Sequence, residues 1–329
     1  MGRATIRDVA RLAGVSDGTV SNTLNRPHLV STDTRQRVLQ AMETTGYVPS
    51  AAARALRAGR SRTIGLVVLD FGNPFFAEVA AGAEQAATDA GADVALFHTG
   101  IGAHDREQRL LQRLAERRLD GLVITPNDVE HPLLAVIEQR GTPVVVLARE
   151  VPSRRRSAVR GDDHAGGVLA ARHLLDEGHQ HLAFVGWRRD ERYEGAAHAA
   201  ANAGARLTWI GTTDADLAGG VAVGERLTAT AAAERPTAVF CANDLIAAGL
   251  IQVITQAGWR IPDDLAVVGF DDTDLVSAAS AVELTSVRQP AAEMGSASVR
   301  LILDGTGPPR DLVFVPELIA RESSVAGRA

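Results

Sequence analysis

VARLAGVSDGTVSNTLN, residues 9–25, sets two short apolar-periodic segments on either side of Gly14-Val15-Ser16. Neither segment can bury much surface alone. Ile6 joins Val9, Ala10 and Ala13 at i, i+3, i+4 and i+7, one face of a helix. Gly14 supplies the stop, because a left-handed conformation costs glycine little. Ser16 is a good N-cap for a second helix with Val20 and Leu24 as inner positions. Asp17, Gly18, Ser21, Asn22 and Asn25 then face outward, small and polar. Asn25-Arg26-Pro27 breaks that helix, and Ser31 caps a third with Val38, Ala41, Met42 and Thr45 inside and Gly46 at its end. Three such helices are a helix-turn-helix unit, whose second helix suits a DNA major groove. A helical hairpin that merely decorates a larger domain is the alternative.

Charge favours the first. Residues 1–62 hold ten arginines against Asp8, Asp17, Asp33 and Glu43, a net +6, although the 329-residue chain is −6 overall. The remainder holds 24 arginines against 36 acids, a net −12. A basic head on an acidic body points to a nucleic-acid partner for the head. All 34 basic residues are arginine, which excludes Schiff-base chemistry and a P-loop lysine. The single cysteine, Cys241, excludes an internal disulfide and a thiolate zinc site. The length predicts two or three domains. No apolar run approaches the roughly 20 residues that span a bilayer, and MGRATIRDVARLAG lacks a signal-peptide core, so a cytoplasmic location without membrane contact is expected.

TIRDVARLAGVSDGTVSNTLN and the following VSTDTRQRVLQAMETTGYVPSAAARALRAGRSRTIGLV closely resemble the DNA-binding head of the lactose-repressor (LacI/GalR) family of bacterial transcription regulators. NPFFAEVAAGAE, GHQHLAFVGW, RPTAVFCANDLIAAG, IPDDLAVVGFDD, LTSVRQPAAEMG and ELIARESS continue the likeness, in family order, to about Ser324. The resemblance implies that Thr5, Ser16, Thr19, Ser21 and Asn25 hold backbone phosphates, while Asp17, Gly18 and Asn22 occupy the base-reading positions. Asn22 can pair bidentately with adenine, Asp17 can accept from cytosine or serve only its own helix N-terminus, and Gly18 reads nothing. Residues 50–58, SAAARALRA, are helix-prone yet carry Leu56 as their one sizeable apolar side chain. By resemblance they are the hinge helix, with Leu56 wedged into the minor groove and Ala53 and Arg57 alongside. A plain helical linker is the alternative.

From Thr63 short apolar runs alternate with amphipathic segments. TIGLVVL, DVALFHT, GLVITP and PVVVLA precede the loop VPSRRRS; SAVRGD, HLAFVGW, LTWIG, TAVFCAND and DLAVVGFDD follow it. Strands alternating with helices predict parallel sheets, and two such sets, each expected to reach five strands, predict two doubly wound α/β lobes. The resemblance implies a periplasmic-binding-protein-like core with crossings near residues 160, 287 and 318. The expected division is a helix-turn-helix domain over 1–49, a hinge over 50–61, and an effector-binding and dimerisation domain over 62–329. Its N-lobe spans about 62–160 and 288–318, and its C-lobe about 161–287 and 319–329. Arg154-Arg155-Arg156 reads as a solvated loop.

In such sheets ligands bind beyond the carboxyl ends of the strands, here between the lobes. Phe75, Phe76, Arg149, Arg192, Asn243 and Asp271 follow strand ends, and Gln289 lies at a crossing. An aromatic face with Arg, Asn and Asp suits a ring bearing hydroxyls or polar edges. The resemblance implies a small effector, sugar-like or nucleobase-like. Phe75 and Phe76 as core residues are the competing reading. The chain departs from the family pattern at Ala148, where many relatives carry an acid, and in the shortened, Ala-rich stretch 198–217.

Enzyme chemistry finds no support. HTGIGAHDRE opens a helix after a strand, but Asp105 stands where a dinucleotide loop needs its third glycine. His173, His179 and His181 lack a helical ligand spacing, so no metal or other cofactor is expected. The reading is a homodimeric, ligand-responsive repressor that binds palindromic operator DNA. A solute-binding protein would leave the basic head unexplained; a doubly wound enzyme would leave both halves without a reaction.

Overall fold

The computed structural model describes residues 4–47, 61–280, 282–305 and 307–325. Most of the expected hinge, with Ala53, Leu56 and Arg57, lies outside these residues. The chain forms two compact units, 1–61 and 62–329.

In the first unit, α1 runs Ile6–Ala13, α2 Asp17–Asn25 and α3 Thr32–Thr45. The backbone N–H and hydroxyl of Thr5 donate to the Asp8 carboxylate at 2.9 and 2.7 Å, which fixes the start of α1. Gly14 stops it in the left-handed region at φ 66°, and the Val15 N–H returns to the Ala10 carbonyl at 3.0 Å. Ser16 and Ser31 accept the Thr19 and Thr34 N–H groups as N-caps, and Gly46 ends α3 at φ 63°. The core is Val9, Ala10, Ala13, Val20, Val38 and Ala41, with Ile6, Val15, Met42 and Tyr47 against it. One position differs from expectation. Leu24 is only half-buried, and Thr23 takes the inner place, because its hydroxyl donates to the Thr19 carbonyl at 2.9 Å and so needs no water.

In the second unit the strands are β1 Thr63–Val68, β2 Asp93–His98, β3 Gly121–Ile124, β4 Val144–Leu147, β5 Ser157–Gly161 and β6 His181–Gly186. They continue as β7 Arg206–Gly211, β8 Ala238–Cys241, β9 Ala266–Asp271, β10 Thr285–Arg288, β11 Asp311–Phe314 and β12 Glu317–Ile319. Between them run α4 Pro74–Asp89, α5 His104–Glu116, α6 Pro132–Gln139, α7 Asp163–Asp176 and α8 Glu191–Asn202. Then come α9 Leu217–Ala229, α10 Asp244–Gln256, α11 Asp274–Ala279 and α12 Ala291–Leu303.

Two sheets result, ordered β11-β5-β4-β3-β1-β2 and β12-β10-β9-β8-β6-β7. Every pairing is parallel except β10 with β12. Each sheet has six strands, not five, because the returning carboxyl-terminal arm adds β11 to the first and β12 to the second. The SAVRG segment also changes place: β5 pairs with β4 in the first sheet, although it follows the loop. Helices on both faces explain the near-continuous apolar strands.

The triple-arginine loop is only partly solvated. The Arg156 side chain is buried, with Nε 3.0 Å from Glu138 and a terminal nitrogen donating to the Val129 carbonyl at 3.1 Å. Burial pushes the Glu138 carboxyl up, and Arg156 pulls it back. Among the described residues no helix is long and apolar enough to cross a membrane.

Candidate functional sites: a nucleic-acid face and an inter-lobe cleft

On α2 the outward set is as the periodicity places it. Asp17, Gly18, Asn22 and Asn25 are exposed, with Thr19 and Ser21 partly so. Thr5 and Ser16, at the starts of α1 and α2, are also exposed. The Asn25 amide donates to the Ser21 carbonyl at 2.8 Å, and the Ser16 and Thr19 hydroxyls lie 2.9 Å apart. A row of short hydroxyl and amide groups on one helix face can approach a backbone closely without steric conflict. Asp17 is not isolated, since the Nε of Arg7, on α1, stands 3.7 Å from its carboxylate.

At the seam of the two lobes the central group is Arg192. It is the second residue of α8, and Asp190, the N-cap, accepts its backbone N–H at 2.9 Å. Its guanidinium lies 3.2 Å from the Asp163 carboxylate, donates to the Ala242 carbonyl, and covers the Phe270 ring at 3.8 Å. The α7–α8 crossing sets this position: a Cβ on Gly167 would run into the Arg192 carbonyl, and one on Gly195 into that of His164. Burial alone would lower the Arg192 pKa, yet Asp163, Asp190 and Asp271 hold it above its ordinary value.

Asp271 ends β9 at φ 105°, an uncommon conformation for a residue with a Cβ. Gln289 donates to its carboxylate at 2.9 Å, and Asn73, from the first lobe, is close enough to favour its ionised form. Burial raises its pKa to about 6, against the pull of Arg192. Burial also raises Asp190. The next residue, Asp272, ties the returning segments. Arg288 lies 2.7 Å from one carboxylate oxygen and Arg321 2.6 Å from the other. Behind them Asp244 is buried, held by the Ser286 hydroxyl at 2.6 Å and the Thr273 N–H at 3.0 Å, and pushed up to about 8 by burial and then by Asp271.

The sequence-predicted residues separate accordingly. Arg192, Asp271 and Gln289 come together around one polar cluster. Arg149 is exposed on the β4–β5 connection, near enough for its charge to stabilise ionised Asp190. Asn243 spends both ends on the backbone: its oxygen caps α10 at Ile246, and its nitrogen donates to Ala215 at 2.8 Å. Phe75 and Phe76, 5.2 Å apart edge to face, are buried in the first lobe's core. Sequence reasoning missed Asn73, Asp163, Asp190 and Phe270, although the three polar ones follow strand ends as the predicted ones do. Two open concavities lie elsewhere. One of about 510 Å³ borders Leu217, Val221 and Gln252, and one of about 250 Å³ borders Phe71, Leu96 and Arg106. The convergent charges are at Arg192, not there.

Comparison with known proteins bears on both sites. Residues 5–50 match the family described as bacterial regulatory proteins, lacI family, and residues 171–324 match a periplasmic binding protein-like domain. The HTH-type transcriptional repressor PurR of Aliivibrio fischeri (strain MJ11) is 36% identical over 332 residues, covering 97% of this chain and 98% of the relative. The lac repressor dimer bound to operator and the anti-inducer ONPF superposes with a TM-score of 0.85 at 25% identity, covering 99% of this chain and 100% of that one. A transcriptional regulator CelR–cellobiose complex gives a TM-score of 0.71 at 32% identity, covering 98% and 100%. The end-to-end coverage joins head and body in one assignment, and the chain belongs to the lacI family of bacterial regulatory proteins.

Proposed function

We propose that this is a cytoplasmic, homodimeric repressor that binds a palindromic operator and changes its grip when a small effector enters the cleft between the lobes. Residues 1–49 serve as the DNA-binding domain, 50–61 as the hinge, and 62–329 as the effector and dimerisation domain. Within the last, an N-lobe of about 62–160 and 288–318 faces a C-lobe of about 161–287 and 319–329. Thr5, Ser16, Thr19, Ser21 and Asn25 hold phosphates, Asn22 reads a base, and Ala53, Leu56 and Arg57 enter the minor groove. Arg149, Arg192, Asn243, Asp271 and Gln289 serve the effector, with Phe75 and Phe76 as the wall behind it.

The observation that carries this reading is the Arg192 cluster. Arg192, Asp163 and Asp271 satisfy one another on the second lobe's side of the seam, and Asn73 of the first lobe approaches Asp271 from the other side. A ligand with several hydroxyl or ring N–H groups can replace those contacts and so alter the lobe angle. Neutral sugar-like or nucleobase-like molecules suit the site better than anions, because acids outnumber arginines in it.

The test is a melting screen of the full chain against single sugars, nucleobases and nucleosides, followed by gel shifts on an in vitro-selected duplex. A hit should raise Tm by mass action and change the affinity for the duplex. Hits that leave DNA affinity unchanged would argue for a solute-binding role.

A further inference from the structure

The nominal base readers of α2 are poor: a glycine, an acid and one asparagine. The geometry of the head supplies another. Arg7 is the second residue of α1, and its side chain is 82% exposed, yet it reaches across to α2, where its Nε stands 3.7 Å from the Asp17 carboxylate. Arg11, one turn on, pairs instead with Asp8 of its own helix at 3.6 Å. An exposed ion pair contributes little to stability. Its consequence is orientation: Asp17 holds the Nε side of the guanidinium beside the N-terminus of α2, the end of a recognition helix that meets base edges.

Gly18 gives an independent reason to look there. Glycine inside a helix costs roughly 0.5–1 kcal/mol relative to alanine, and nothing in the fold requires it at this position. Its φ is not in the left-handed region, and a Cβ would meet only the Ser16 Oγ, at an ordinary 3.6 Å. The missing side chain leaves a gap on the outward face next to Asp17. A long side chain from α1 can use that gap to reach the floor of the groove.

We propose that Arg7 is a base-reading residue of this head, buttressed by Asp17, with its two terminal amino groups directed at O6 and N7 of a guanine in each half-site. This rests on the DNA-binding reading of the head. Bidentate arginine–guanine pairing needs two parallel donors held in plane, and Asp17 engages the guanidinium without consuming that pair. Asp17 is then a positioning residue and not a cytosine acceptor. Without Arg7 beside it, its carboxylate would face a strongly negative groove.

The experiment is in vitro selection by the full chain from a duplex library with a randomised core, at one fixed salt concentration. The parent protein should enrich a palindrome with a guanine in each half-site. Arg7→Ala should lose preference at that position alone and keep the adenine assigned to Asn22. In competition assays, discrimination for guanine should fall from on the order of ten-fold or more to near unity. Arg7→Lys, which keeps the charge but not the fork, should keep affinity better than specificity. Asp17→Ala should weaken the same guanine position and create no new preference elsewhere. An unchanged motif for Arg7→Ala, with affinity lowered equally on all sequences, would make Arg7 a phosphate contact and overturn the proposal. A parent protein that enriches no motif would overturn the DNA-binding reading itself, and this proposal with it.

Discussion

Single residues set the chemistry here, and two of them lend themselves to direct measurement. Burial raises Asp244 to about 8, so the native state holds its proton where an unfolded chain would have released it. Its contribution is therefore fully present below the ordinary aspartate range near 4 and is lost as pH rises through about 8. Asp271, raised to about 6, adds to the same slope over a lower window. Asp244→Asn should mimic the protonated form, accepting from Thr273 and donating to Ser286. Its Tm should fall less than the parent's between pH 5 and pH 8.5, by several degrees in a melting series. Equal slopes would mean that Asp244 ionises freely in the native state. Asn22 is the second. Asn22→Ala should cost roughly 1–3 kcal/mol on the selected duplex and little on random DNA, measured by gel-shift titration. At this scale the sequence was informative wherever a residue type had few other uses. Arg192 and Asp271 after strand ends are hard to excuse as packing, whereas Phe75 and Phe76 are as much at home in a core, and the core holds them. Thr23 escaped notice because its hydroxyl is silenced by its own helix, which no hydropathy pattern reveals.

Helices and strands were legible where period and punctuation agreed. Gly14, Ser16, Ser31 and Gly46 marked the head's boundaries, since each does a backbone job that few residues can do. Sheet membership was less legible. β5 reads as the first strand of a new set, but pairing partners are fixed by long-range register, not by local pattern. The same limit hid Arg156, whose partner Glu138 lies on α6, far away in sequence. Helix crossings are similarly invisible, and one of them sets the place of the Arg192 side chain. Gly167→Ala would push α8 off α7 at the Arg192 backbone. Overpacking of this kind typically costs about 1–3 kcal/mol, and it should weaken any effector response although residue 167 touches no ligand. Melting of the variant with and without a screened effector checks this; an unchanged effector shift would show that α8 has room to give. For the hinge, Leu56→Ala should abolish operator bending in a circular-permutation gel shift while leaving non-specific binding near normal.

Across the whole molecule, charge and connectivity decide how the parts cooperate. The +6 head supplies sequence-independent attraction to phosphates, and the −12 net charge of the body disfavours non-specific binding through that part. Each head is small, with six apolar side chains buried in its core among the described residues, so a single copy can make few phosphate contacts. In the homodimer proposed above, two copies bind two half-sites with the second event made intramolecular, which raises avidity without new chemistry. Affinity of the full chain for the selected palindrome should therefore fall steeply with salt, with a slope set by the phosphates both heads neutralise. A duplex carrying one half-site should show about half that slope and much weaker binding. Arg192→Ala adds the link to the cleft: removing the cation strands Asp163 and Asp271 as unpaired acids, so effector response should vanish while the salt slope on DNA stays the same. Titrating both proteins on both duplexes at three salt concentrations separates the contributions. Equal slopes on the full and half palindromes would mean that one head does all the binding, and the dimer would then have no part in recognition.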